Sequence, residues 1–182
     1  MILLFGPVGA GKSVQGELLA ERFGWKWLST GQMFRASEDE EVKKILASGE
    51  LMDDQTTFGV VQEAFQKEKD ANRVILDGFP RTMPQAQWLL SEESRLGREV
   101  AIVVALDVSD DVIIERLAGR GRAEDAPDKI KRRMEIYREQ TNPILEYFSE
   151  HGVKLAHIDG DGGIEMIHER IVAALKSAEI VS

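Results

Sequence analysis

The chain of 182 residues has no cysteine, which excludes disulfides and thiolate-bound zinc from its folding and chemistry. It also lacks a long hydrophobic run. The apolar start, Met1-Ile2-Leu3-Leu4-Phe5, is cut off at Gly6, too early for a signal segment or a membrane span. Such a chain reads as cytoplasmic. Positive charge is in short supply, with 23 Lys and Arg against 32 Asp and Glu, and the net of −9 argues against a general nucleic-acid binder. Histidine is scarce too: His151, His157 and His168 stand far in sequence from every motif below and read as structural or surface residues. What remains is 43% hydrophobic and 30% charged, the composition of one soluble globular domain with a real core.

The charge is uneven. From Arg116 to Arg138 eight basic residues face four acidic ones, a local +4 in a chain whose remainder carries −13. A confined anion site explains such a cluster, although a solvated helix face of mixed charge does so about as well. Short apolar segments alternate with helical patterns along the chain. Strands are expected at Ile2–Phe5, Trp25–Leu28, Val74–Leu76, Val100–Leu106 and Val153–Ile158. Helices are expected at about 12–23, 54–69, 83–90, 109–118, 127–149 and 163–176, with a mostly helical stretch over about 30–58 broken at Ser48-Gly49. In the 127–149 segment Ile130, Met134, Tyr137, Thr141, Ile144 and Phe148 fall three or four apart, a core-facing stripe. Five strands separated by helices predict an α/β fold with a parallel sheet and right-handed crossovers.

Gly6-Pro7-Val8-Gly9-Ala10-Gly11-Lys12-Ser13 fits G-x-x-x-x-G-K-[ST], between a strand and a helix. Glycines let backbone N–H groups converge on phosphate oxygens, and the helix start adds positive potential. Lys12 can reach β- and γ-phosphates, and Ser13 can offer a hydroxyl to Mg²⁺. This loop by itself does not separate kinase from ATPase or GTPase. Asp77 ends a buried strand at the edge where open α/β sheets bind ligands, and a carboxylate there can hold Mg²⁺ through water. Arg81 follows the stiff Phe79-Pro80 turn and suits a bidentate grip on phosphate. Taken alone, that turn would more readily be structural.

Together with Ser29–Arg35, Asp77–Gln85, Gly121-Arg122-Ala123-Glu124-Asp125, Tyr137–Pro143 and Asp159-Gly160-Asp161, the loop makes this chain resemble the adenylate kinase family over nearly its whole length. The resemblance implies a P-loop three-layer α/β/α domain over 1–182, with a helical monophosphate-binding insert at about 30–58 and a lid reduced to about 120–122. It implies reversible, Mg²⁺-dependent phosphoryl transfer from ATP to AMP, small-molecule partners only, no nucleic acid or membrane, and a monomer. Gly9, Ala10, Gly11, Lys12, Ser13 and Val14 would wrap the ATP phosphates, Arg116 and the Gly162 backbone would lie near the ATP adenine, and Arg120 would stand on the ATP side. Thr30, Arg35, Glu50, Leu51, Met52 and Gln85 would form the AMP pocket, with Arg35 on its phosphate and Gln85 on the adenine edge. Gly78, Phe79, Pro80 and Arg81 would line the same acceptor site, and Arg122 and Arg133 would clamp phosphates between the two nucleotides. Lys12, Arg81, Arg120, Arg122 and Arg133 would thus be the catalytic cations.

The chain departs from that pattern in places. Ser13-Val14 replaces the usual Gly-Thr, moving the hydroxyl one position; Gln32 replaces an acidic residue and Asp53 a common proline. Only Gly121 separates Arg120 from Arg122, where relatives carry an inserted lid, so weaker exclusion of water and some ATP hydrolysis are expected. Rival readings are a pyrimidine monophosphate kinase, disfavoured by Thr30 and Gln85; a kinase for another metabolite, disfavoured by the Asp77–Gln85 run; and a non-catalytic nucleotide sensor, disfavoured by the retained cations. A switch GTPase would need an Asn-Lys-x-Asp motif, which the sequence lacks.

Overall fold

Strand β1 (Ile2–Phe5) is apolar at every position and buried on both faces, which a strand tolerates only at the centre of a covered sheet. In the computed structural model, which describes residues 1–71, 73–122 and 125–182, β1 lies between β3 (Val74–Asp77) and β4 (Ile102–Asp107). The edges are β2 (Lys26–Ser29) and β5 (Lys154–Asp159), giving the order β2-β3-β1-β4-β5 with every pair parallel. Ala123 and Glu124, part of one family-like motif, lie outside the described residues.

Alternate residues of the strands feed two cores. Leu3, Phe5, Leu76, Val103 and Ala105 pack under α4 (Asp54–Lys67), α5 (Met83–Leu96) and α8 (Pro143–Glu150), around Phe65, Leu89 and Phe148. Ile2, Leu4, Ile75, Ile102 and Val104 pack on the other side against α1 (Lys12–Phe23) and α9 (Ile164–Ser177), through Leu19, Ile171 and Leu175. The three-layer expectation holds.

The site follows from this layering. The helix after β1 covers one face and the helix after β3 the other, so the chain parts in opposite directions from neighbouring strands. A crevice opens at their carboxyl ends. Two short helices, α2 (Thr30–Arg35) and α3 (Glu40–Ser48), precede α4 on the chain between β2 and β3. On the other flank α6 (Asp110–Ala118) and α7 (Pro127–Ile136) join through residues 119–126 and share a small core of Ile113, Leu117, Ile130 and Met134.

Several expected boundaries shift. Helix α5 runs on to Leu96, because the polar stretch Ser91–Arg95 is its exposed surface and the left-handed Gly97 (φ 64°) is what ends it. The single helix expected over 127–149 is broken: a π-turn at Tyr137–Thr141 separates α7 from α8, whose first residue is Pro143. Strand β4 begins at Ile102 rather than Val100, and β2 at Lys26 rather than Trp25.

Candidate active site

The crevice is lined from both flanks by Gly9, Lys12, Ser13, Thr30, Arg35, Glu50, Leu51, Met52, Asp77, Gly78, Phe79, Pro80, Arg81, Gln85, Arg120, Arg122 and Arg133, all expected from the sequence. Its empty space, open mouth included, is about 1260 Å³. Six cations and two carboxylates line it, so the local balance is positive in a protein of net charge −9. Ala10, Gly11, Val14, Arg116 and Gly162 are not in the lining. Arg116 instead ties the phosphate loop to the β5–α9 connection, donating to the carbonyls of Gly160 (2.8 Å), Gly162 (3.2 Å) and Ala10 (3.4 Å). None of the three histidines lines the crevice.

The phosphate loop leaves β1 at the sheet edge. Gly9 sits at φ 78°, and a Cβ there would stand 3.0 Å from Leu117 Cγ, so only glycine lets the loop lie against α6. Lys12 Nζ donates to the carbonyls of Gly6 (2.7 Å) and Pro7 (2.8 Å), folded back over its own loop. Burial pushes its pKa down to about 8, helped by Arg81, Arg133 and Arg120 and opposed by Asp77. The Ser13 hydroxyl donates to Asp77 Oδ2 at 2.8 Å. Asp77 is buried at the last position of β3, in register with Leu4 of β1 and Ser29 of β2. These hard oxygen donors suit Mg²⁺, which takes few protein ligands and keeps several waters. Among the described residues no group of three acidic, histidine or cysteine side chains forms a closed metal cage.

The opposite flank begins at Gly78, whose φ of 83° turns the chain out of β3. A Cβ there would stand 2.7 Å from Thr30 Oγ1, so glycine admits the Thr30 hydroxyl, which donates to Gly78 O at 2.9 Å. Phe79-Pro80 is a cis peptide, and Arg81 follows. Arg81 Nε donates to Gly78 O at 2.8 Å, its backbone N–H donates to Gln85 Oε1 at 2.8 Å, and its carbonyl accepts the Thr141 hydroxyl at 2.9 Å. Burial lowers the Arg81 pKa and Asp77 opposes that; from so high a starting value the guanidinium stays charged. Gly31 leaves room for Arg35, since a Cβ there would approach Arg35 Nη1 to 3.3 Å. Glu50 accepts from Arg132 Nε (2.8 Å) and Nη2 (3.3 Å), which links the α3–α4 connection to α7.

Three contributors escaped the sequence reading. Asp125, with its side chain 3% exposed, accepts from Arg120 Nε at 2.7 Å, from Arg120 Nη2, and from Arg133 Nη1 at 3.3 Å. Asp54 accepts at Oδ1 from Gln85 Nε2 and from the Thr82 hydroxyl, each at 2.8 Å. Thr141, read as a core residue, spends its hydroxyl on Arg81. Asp125 stands in a quoted motif and was the discoverable one. Asp54 reads simply as a helix-start acid, and Thr141 sits in a true apolar stripe.

The family model described as adenylate kinase matches residues 4–153. The chain is 38% identical over 180 residues to the adenylate kinase of Mycobacterium tuberculosis (strain ATCC 25618 / H37Rv), a match covering 96% of this chain and 98% of the relative. It is 36% identical over 180 residues to that of Rhodococcus erythropolis and 35% over 185 residues to that of Stenotrophomonas maltophilia, with the same coverage.

Proposed function

The chain belongs to the adenylate kinase family, and we propose that its crevice moves the γ-phosphoryl group of ATP onto AMP, giving two ADP. One observation carries the assignment of roles: Lys12, Arg35, Arg81, Arg120, Arg122 and Arg133, from both flanks, line one crevice. Two polyanions repel one another, and phosphoryl transfer needs little beyond in-line placement and cancelled charge. An AMP phosphate oxygen attacks the γ-phosphorus, the bond from that phosphorus to its bridging oxygen breaks, and ADP leaves. Lys12 and the loop amides hold the donor phosphates; Arg35 and Arg81 hold the acceptor phosphate; Arg120, Arg122 and Arg133 surround the group in transit. Thr30, Leu51, Met52 and Gln85 receive the acceptor base, and α2 and α3 form the insert that closes on it. Ser13 and Asp77 would hold Mg²⁺, directly or through water, and the bound ion would neutralise phosphate charge.

The substrate reading is tested by offering AMP, CMP, UMP, GMP and dTMP with Mg·ATP and measuring diphosphate formation. AMP is expected to give the highest kcat/KM; faster turnover of CMP or UMP would move the enzyme to the pyrimidine class.

Lys12 makes a prediction about pH. Its protonated form holds phosphate, and the free protein surrenders that proton as pH rises through about 8. Anionic ATP draws the proton back, so the pKa of the complex lies higher. kcat/KM for ATP is therefore expected to fall above about pH 8 while kcat at saturating ATP holds to higher pH. A second prediction concerns the short connection at 119–126. With Gly121 alone between Arg120 and Arg122, water reaches the transfer site more easily, and slow ADP formation from ATP without AMP is expected. A coupled assay that detects no AMP-independent ADP would discard that idea.

A further inference from the structure

Gln85 faces the crevice with only 2% of its surface exposed, and both ends of its amide are engaged. Oε1 accepts from the Arg81 backbone N–H and Nε2 donates to Asp54 Oδ1, both at 2.8 Å. The oxygen and nitrogen of an amide are alike in size, so partners decide which way it points. Here the partners leave one solution. A backbone N–H can only donate and a carboxylate can only accept. Turning the amide over would set N–H against N–H and oxygen against carboxylate.

We propose that Asp54 is a specificity-determining residue: by holding the Gln85 amide in one orientation, it makes the acceptor pocket read a 6-aminopurine and reject a 6-oxopurine. This rests on the reading of Gln85 as the group that meets the acceptor base. An amide carries two N–H groups and two oxygen lone pairs, and one of each is spent on Asp54 and Arg81. The other N–H and lone pair can meet a base edge that offers one acceptor and one donor. Adenine offers that edge in the right order, its N1 facing the N–H and its 6-amino group facing the oxygen. Hypoxanthine and guanine reverse both, presenting N1–H and a 6-oxo group. A glutamine able to flip would serve either base; a locked one meets the 6-oxo edge with two contacts of like polarity. A buried polar group left facing its like is where small chemical differences give large discrimination.

The sequence supports a division of labour. Asp53 caps α4, its side chain accepting from the Thr56 N–H at 2.9 Å, so Asp54 is not needed as the cap and reaches across to the start of α5. The Thr82 hydroxyl, itself the N-cap of α5, donates to the same Asp54 oxygen and fixes it in place.

The experiment compares kcat/KM for AMP and for IMP, with Mg·ATP, in the full-length protein. Asp54→Ala is expected to lower the AMP-over-IMP ratio by about tenfold or more, with KM for ATP within about twofold. Asp54→Asn keeps a carbonyl acceptor and is expected to retain the ratio within about threefold. Should the alanine protein not fold, Asp54→Ser, too short to hold the amide but favourable at a helix start, carries the same comparison. Gln85→Ala separates the two layers of the idea. If it collapses the ratio while Asp54→Ala leaves it unchanged, the lock is wrong and the base contact stands. If neither variant moves the ratio, Gln85 does not read the base and both fall.

Discussion

Arg81→Ala is expected to lower kcat by about 10³-fold while leaving the fold and KM for ATP nearly intact. The separation follows from how Arg81 is used. Its structural bonds are made by its backbone, whose N–H donates to Gln85 and whose carbonyl accepts from Thr141; alanine keeps both. Among the described residues the guanidinium hydrogen-bonds the framework at one point, Nε to Gly78 O, and it lines a positive crevice beside the buried Asp77. Removing it relieves repulsion with Lys12, so the melting temperature should hold or rise slightly. What disappears, on the proposed role, is a planar pair of donors available to charge on the moving phosphoryl group. Arg81→Lys restores the charge without the fork and is expected to recover only part of the loss, about tenfold. Near-normal turnover in the alanine protein would remove Arg81 from the transfer step.

Local chemistry was the legible part of the site. The glycines, lysine and serine of the loop, and Asp77 and Arg81 at a strand end, announce themselves because each residue type is needed by its own immediate geometry. The strands were legible for a similar reason: β1, β3 and β4 are buried on both faces and so read as unbroken apolar runs. The break inside the 127–149 segment was missed although Pro143 marked it, because the apolar stripe stays in phase on either side of the π-turn. That turn lets the helical path continue while presenting the Thr141 hydroxyl to Arg81. Arg116 and Gly162 were foreseen on one side of the site, and the structure adds that the arginine fastens the loop backbones together, donating to the carbonyls of Gly160 and Gly162. A carboxylate that acts on other side chains rather than on a ligand, such as Asp54, carries no local signature; Asp125 stood in a legible motif, but its hold on Arg120 and Arg133 emerges only in three dimensions.

Asp125 is where that omission has the largest consequence. One carboxylate, its side chain 3% exposed, holds Arg120 along the Nε–Nη2 edge and Arg133 at Nη1. Burial alone would raise its pKa, but the hydrogen bond from Arg120 and the charges of Arg120 and Arg133 prevail and hold it below the ordinary carboxylate range. A group depressed in this way stabilises the fold above its unfolded value near 4, and that contribution is lost as pH falls through the lower folded value. Asp125→Asn removes it, so the stability gap between the two proteins should be full at neutral pH and shrink in acid. Its size is expected to be about 1–3 kcal/mol, below that of a fully buried pair because both arginines keep some contact with water. Turnover should fall further than stability implies, by about 10²-fold, because two guanidiniums lose the orientation that turns their donors toward phosphate. The pH profile distinguishes positioning from a general weakening of the fold. Deleting the carboxylate that pairs with Arg120 and Arg133, two of the cations that depress Lys12, leaves their charge uncompensated, so the alkaline limb of kcat/KM for ATP is expected to move below its position near pH 8. A variant with lower activity but an unmoved limb would make Asp125 a scaffold residue rather than the anchor of the phosphate-binding arginines.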